Sequence, residues 1–432
     1  MTTSTTEDAG VTSAKPRAAA EDDAIRPFTY HAPQAELDDL LRRIVAARLP
    51  EQEPVSDFSQ GVKLATVQKL AHYWATEYDW RKVEARLDAL PQFITEIDGL
   101  DIHFAHVRSK HETALPIIVT HGWPGSLIEQ IKIIDPLVNP TAHGGKASDA
   151  FHVVVPNMPG YGFSGKPTTT GWGPERIARA WNVLMKRLGY TRYVAQGGDW
   201  GAVVVDIMAT QGHPELIGIH TNMPGVVPPE IDKALLAGSP VPPGLSAEEK
   251  LAYEMLQVTY KNVQYAFYMA WHPQTLVAMT DSPVGLATFL IDHDPRSLQM
   301  IARSFDGQPE GLSRDDVLDN ATYFWLTNTA VSAARLYLEN KNNYFSPKNV
   351  RIPVAVSVFP DELYQAPRSW TEAAYPNLIH YNRLPKGGHF AAWEQPQYFV
   401  EELRAGFRSL RSLTTVANAA GTPHTGQKRA PQ

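Results

Sequence analysis

Cysteine is absent from the 432-residue chain. No disulfide, thiolate metal site or cysteine nucleophile is therefore available. Basic residues are in deficit, with 39 Lys and Arg against 46 Asp and Glu and a net charge of −7. No basic stripe stands out, which excludes a nucleic-acid surface. No run of about 18 apolar residues occurs, so no membrane span is expected. Residues 1–25 are rich in Thr, Ala and acid and lack an apolar h-region. They read as a disordered lead, not as a secretory signal. Residues 413–432 read as a disordered tail for the same compositional reason. The default location is cytoplasmic. Against these absences stand 43% hydrophobic and 20% charged residues, a globular composition with ample material for a large core. The 17 Tyr and 10 Trp hint at aromatic, apolar pockets. Chemistry has to come from Asp, Glu, His, Ser, Tyr or Lys.

Residues 26–97 read as a helical N-terminal domain. Leu37, Leu40, Leu41, Ile44 and Val45 share one helical face over 35–48. Pro50 and Pro54 end that helix. Residues 62–76 repeat the period, and a short helix starts near Asp79-Trp80. The rhythm changes at Leu100, where LDIHFAHV alternates like a strand. Short β-rich runs follow at 115–120, 151–156, 192–196, 216–221, 353–359 and 378–384. Amphipathic helices are expected at 125–134, 173–188, 201–212 and 393–410. Near-continuous apolar runs between helices predict an α/β fold, with a mostly parallel sheet covered on both faces. The sheet core takes residues 98–225 and 346–412. Residues 226–345 interrupt it with Pro-rich, then helical and aromatic-rich sequence. An insertion at that point sits over the strand ends, where open α/β sheets bind ligands. It reads as a helical lid.

Four local patterns carry possible chemistry. Gly197-Gly198-Asp199-Trp200-Gly201 follows a strand and opens a helix. Small residues flanking a central nucleophile describe a nucleophile elbow, a turn too tight for Cβ atoms on either side. The central residue here is Asp199, not Ser. His121-Gly122-Trp123-Pro124-Gly125 follows the strand at 115–120. Alone it reads as a Gly/Pro turn, but such a loop can aim a backbone N–H at the elbow. With the N–H of Trp200 it would form an oxyanion hole. Gly387-Gly388-His389 lies after the last strand, where the base of such a fold is found. Asp361-Glu362 ends the strand before it and offers two carboxylates to orient the His. Chemistry alone does not choose between them.

A carboxylate nucleophile displaces a group at saturated carbon and leaves an ester, which water can cleave. A Ser at the same place would leave an ether. Haloalkanes and epoxides both fit. A halide leaves as a stable anion, whereas an epoxide leaves as a basic alkoxide and needs an acid. The lid holds Tyr253, Tyr260, Tyr265, Tyr268, Tyr323 and Tyr337, and this richness favours the epoxide.

The motifs HGWPGS, PNMPGYGFSGKP, GGDWGA, DSPVGLA, FPDEL and GGHFAAWEQP stand in that order. With them the chain resembles the microsomal-type epoxide hydrolases of the α/β-hydrolase superfamily over roughly residues 25–412. DWRKVEARLDALPQFITEIDGLDIHFAHV looks like that family's N-terminal domain running into its first strand. The animal members' membrane anchor is missing, so the resemblance is to the soluble microbial branch. It implies the α/β-hydrolase fold, with Asp199 as nucleophile and His389 as base. Glu362 is preferred over Asp361 because the family's acid takes the fourth position of Phe-Pro-x-acid. Tyr337 and Tyr265 are implied as the ring-opening pair. Tyr265 stands eight positions before Pro273, but the stretch from there to Asp281 is a residue short and Tyr268 is nearby. The N–H groups of Trp123 and Trp200 are implied as the oxyanion hole. The implied partners are a small-molecule epoxide and water, with no metal, cofactor, nucleic acid or membrane; related folds commonly form homodimers. The competing readings are a haloalkane or haloacid dehalogenase with the same Asp nucleophile, and a non-catalytic binding protein on the same fold.

Overall fold

The computed structural model describes residues 23–411. The expected lead and tail lie outside them, apart from residues 23–25. Nine strands are named along the chain: β1 (Arg26–Pro27), β2 (Gln92–Ile97), β3 (Leu100–Val107), β4 (Leu115–Thr120), β5 (Phe151–Pro156), β6 (Tyr193–Gly197), β7 (Leu216–Thr221), β8 (Val354–Val358) and β9 (Leu378–Arg383). They form one sheet in the order β1-β2-β3-β5-β4-β6-β7-β8-β9. The pairs from β5 through β9 are parallel, and those from β1 to β5 by way of β2 and β3 are antiparallel. β6 and β8 are buried along their whole length, and only Pro116 and His152 break the burial of β4 and β5. That is why those runs are apolar without alternation.

The expectation of an all-helical start up to Ile97 is corrected. Helices Gln34–Val45, Leu64–Thr76 and Arg81–Asp88 are present, but Gln92–Ile97 is a strand paired residue for residue with β3. Asp98 and Gly99 connect the two with φ of 53° and 76°. Asp-Gly is the turn that a two-residue hairpin of this twist requires. QFITEI-DG-LDIHF is therefore a hairpin signature. The expected helix over 393–410 is also two helices, Ala391–Glu394 and Pro396–Gly406. Pro396 disfavours the helical conformation at Gln395 and separates them.

Between β7 and β8 the chain runs through helices including Pro229–Leu236, Ala247–Asn262, Gln264–Trp271, Pro283–Ile291, Pro295–Phe305, Arg314–Thr327 and Ala330–Glu339. Side-chain caps mark several starts. Ser282 Oγ accepts from the Gly285 N–H, and Asp294 accepts from the N–H groups of Arg296 and Ser297. Ser313 and Asp316 form a reciprocal capping box. The N-terminal helices hold this region from one side. Trp74 Nε1 donates to Thr322 Oγ1 at 3.0 Å, and the Tyr73 and Tyr78 hydroxyls donate to Asp315 and Asp319 at 2.8 and 3.0 Å. Arg86 pairs with the buried Asp319. Among the described residues no helix is long and apolar enough to cross a membrane.

Candidate active site

β6 ends at Gly197, and helix Trp200–Thr210 begins three residues later. Asp199 sits at the apex with φ 51° and ψ −126°, a conformation that L-residues rarely adopt. The glycines around it are steric requirements. A Cβ on Gly197 would lie 2.0 Å from Gly201 O, and one on Gly201 would lie 2.0 Å from Thr120 O. A Cβ on Gly122 would fall 2.3 Å from Asp199 Cβ and Oδ1. The strained turn and the bare loop after β4 let the two segments meet. The meeting is polar: the Trp123 N–H donates to Asp199 Oδ1 at 2.7 Å. Trp200 opens its helix, so its N–H is among the first-turn donors with no intrahelical acceptor.

His389 and Glu362 reach the same point from the loops after β9 and β8. His389 Nε2 lies 3.4 Å from Asp199 Oδ2, and Nδ1 lies 2.6 Å from Glu362 Oε1. All three residues are buried. Asp361 turns away to pair with Arg296, and its side chain is 45% exposed. Burial alone would lower the His389 pKa; the carboxylates of Glu362 and Asp199 outweigh it and hold the imidazole well above its ordinary value. Burial would raise Asp199, but the neighbouring His389 holds it below the usual carboxylate range. Each partner thus favours the charged form of the other.

The insertion roofs this polar floor with phenols. Tyr265, Tyr337, Tyr344, Trp200 and Asp199 line a cavity of about 280 Å³. Tyr265 stacks on Trp123 with ring centroids 4.7 Å apart. Tyr337 and Tyr344 stand edge-on to Trp200 at 4.8 and 4.9 Å. Tyr268, the competing candidate, is 44% exposed and packs near His272 instead. Burial, followed by nearby charge and phenols, pushes the pKa of Tyr265, Tyr337 and Tyr344 well above 10. These hydroxyls therefore stay protonated and can donate.

Three further residues belong to the site without a local sequence signal. The Tyr344 hydroxyl donates to Asp199 Oδ2 at 2.8 Å from a loop (KNNYFSP) with no periodicity to mark it. His293 stacks on His389 with centroids 4.1 Å apart, and its Nδ1 lies 3.0 Å from Asp294 Oδ2. It lies just past the DSPVGLA motif, and only that proximity points to it. Glu129, in helix Leu127–Val138, occupies the space that a side chain on Gly125 would need. Burial pushes its carboxyl up to about 8.

A carboxylate at a glycine-flanked elbow, a His–carboxylate pair at the ends of the next strands and a backbone donor define the site of an α/β-hydrolase-fold enzyme. The comparisons agree with that class and narrow it. Residues 116–284 match the "alpha/beta hydrolase fold" family and residues 25–130 the "Epoxide hydrolase N terminus" family. "Epoxide hydrolase 1" of Oryctolagus cuniculus is 35% identical, over 89% of this chain and 88% of that protein. A Stigmatella aurantiaca protein, itself only provisionally assigned as an epoxide hydrolase, is 49% identical over 90% of this chain and 86% of its own length. The crystal structure of juvenile hormone epoxide hydrolase from the silkworm Bombyx mori superposes with a TM-score of 0.79 at 27% identity, covering 91% of this chain and 96% of that one. The chain belongs to the epoxide hydrolase family.

Proposed function

We propose that this enzyme opens an epoxide to a vicinal diol through an ester on Asp199. The observation that carries the reading is Asp199, fixed by the Trp123 N–H and facing His389, beneath the half-buried phenols of Tyr265 and Tyr337 that line the same cavity. Tyr265 and Tyr337 hydrogen-bond the epoxide oxygen. Oδ2, the carboxylate oxygen not held by Trp123, attacks a ring carbon. The ring C–O bond breaks, its electron pair stays on oxygen, and a phenol supplies the proton.

Ester formation removes one of the two anions that keep His389 protonated. Its proton becomes available to restore the phenol, and the neutral imidazole that remains is a base. Glu362 keeps it oriented through Nδ1. His389 then takes a proton from water, the hydroxide adds to the ester carbonyl, and Oδ1 carries the oxyanion toward the N–H groups of Trp123 and Trp200. One such donor is worth about 3 kcal/mol. Collapse breaks the acyl–oxygen bond, and His389 returns its proton to the departing Oδ2 so that the diol leaves neutral. The acid left on Asp199 then protonates His389, which reforms the ion pair.

Repeated turnover of a styrene-type oxide in oxygen-18 water is the test. The proposal expects a diol product and label in the Asp199-containing peptide by mass spectrometry. A diol with no label in Asp199 sinks the ester; no diol, with halide released from a haloalkane instead, sinks the epoxide.

A further inference from the structure

We propose that His293 is a positioning residue for the water that cleaves the ester, acting beside His389. The inference deepens the Asp199-ester reading and rests on it. His293 Nε2 is buried and has no hydrogen-bond partner among the described residues. Burial without a partner is costly for such an atom, so it marks a place where something polar binds. One ligand atom from each of Asp199, His293 and His389 lies within 4.8 Å of the others. With the Asp199–His389 side of this triangle at 3.4 Å, one small molecule can lie within hydrogen-bond reach of all three atoms. The occupant is one water molecule.

The two histidines are built alike. His389 turns Nδ1 to Glu362 at 2.6 Å, and His293 turns Nδ1 to Asp294 at 3.0 Å. Each carboxylate takes one ring nitrogen and leaves Nε2 for the shared position. Asp294 is itself fixed, because it caps helix Pro295–Phe305 through the N–H groups of Arg296 and Ser297. Stacking at 4.1 Å keeps the rings together. In the ester, the water gives one hydrogen to His389 Nε2 and its second hydrogen bond to His293 Nε2, which leaves a lone pair aimed at the Asp199 carbonyl carbon. The proton moves to His389 alone; His293 restricts rotation of the water.

The test separates ester formation from ester hydrolysis by rapid quench and intact-protein mass spectrometry. His293→Asn keeps a donor for Asp294 and removes the acceptor at Nε2; His293→Gln restores a polar atom near the Nε2 position. In H293N the ester should form at the wild-type rate, which also reports a correctly folded site. It should decay at least tenfold more slowly and accumulate, and H293Q should recover part of the loss. Wild-type decay in H293N, with accumulation in His389→Gln, overturns the role of His293 and leaves the ester mechanism standing. Absence of any adduct in H293N and H389Q alike, with turnover retained, overturns the ester reading itself. Loss of wild-type activity on dialysis against a chelator, restored by Zn²⁺, would assign the three residues to a metal and overturn the water site.

Discussion

The floor and the roof of the site are made differently. The floor is charged, and its groups are pinned at strand ends: Asp199 by a turn that admits only glycine at Gly197 and Gly201, His389 by Glu362. The two roof phenols Tyr265 and Tyr337 are uncharged and sit on helices, held by packing against Trp123 and Trp200. Fixing an ion costs solvation, which a rigid shell of donors must replace. Fixing a phenol needs only shape and one well-placed hydroxyl. Floor substitutions should therefore stop the chemistry, and roof substitutions should slow one step of it.

The largest effect is expected for Asp199→Ala, a loss on the order of 10³-fold or more in kcat/KM, as for nucleophiles generally. Residual turnover within tenfold of wild type would dissolve the distinction. Next, Glu362→Gln should cut ester hydrolysis by about 10²-fold or more, since it loses the anion that orients and charges His389. Asp361→Asn, on an exposed pair with Arg296, should change rates less than about twofold. Equal effects at 361 and 362 would show that the floor is not pinned as described.

Roof changes come third. Tyr337→Phe and Tyr265→Phe should each lower the rate of ester formation by about 10- to 100-fold, with ester decay unchanged. Tyr268→Phe should match wild type, and a loss there would return Tyr268 to the pair. A separate effect concerns stability, not rate. Glu129 binds its proton more tightly folded, near pH 8, than at its ordinary value of 4.5. Its contribution is full below pH 4.5 and disappears as pH rises through 8. Glu129→Gln should therefore flatten the fall of Tm between pH 5 and pH 9; an unchanged slope would show that Glu129 is not the group responsible.

The same contrast explains what the sequence makes legible. Asp199 and the elbow can be read because backbone sterics leave a glycine pattern behind. His389 can be read from its place after the last strand and an acid from the end of the strand before it, but the choice of Glu362 over Asp361 needs the family resemblance. Tyr265 and Tyr337 need the family resemblance, since a helix does not say which of its faces meets a cavity. Tyr344 cannot be read locally, and only nearness to DSPVGLA points to His293: one sits on an irregular loop, the other just beyond a helix end, and the folded chain brings both to Asp199. The parallel core follows from its apolar runs. The β2–β3 hairpin was as plainly written in its Asp-Gly turn, but a helical reading of the preceding residues runs over it.

The anchoring of helix Arg314–Thr327 by Trp74, Tyr78 and Arg86 has a consequence for the order of synthesis. The N-terminal helices leave the ribosome more than two hundred residues before the segment they grip. β8 and β9, with Glu362 and His389 behind them, are made last. A nascent chain thus carries Asp199, Tyr265 and Tyr337 before it carries Glu362 and His389. On the proposed ester mechanism, the catalytic cycle therefore closes only with the final strands.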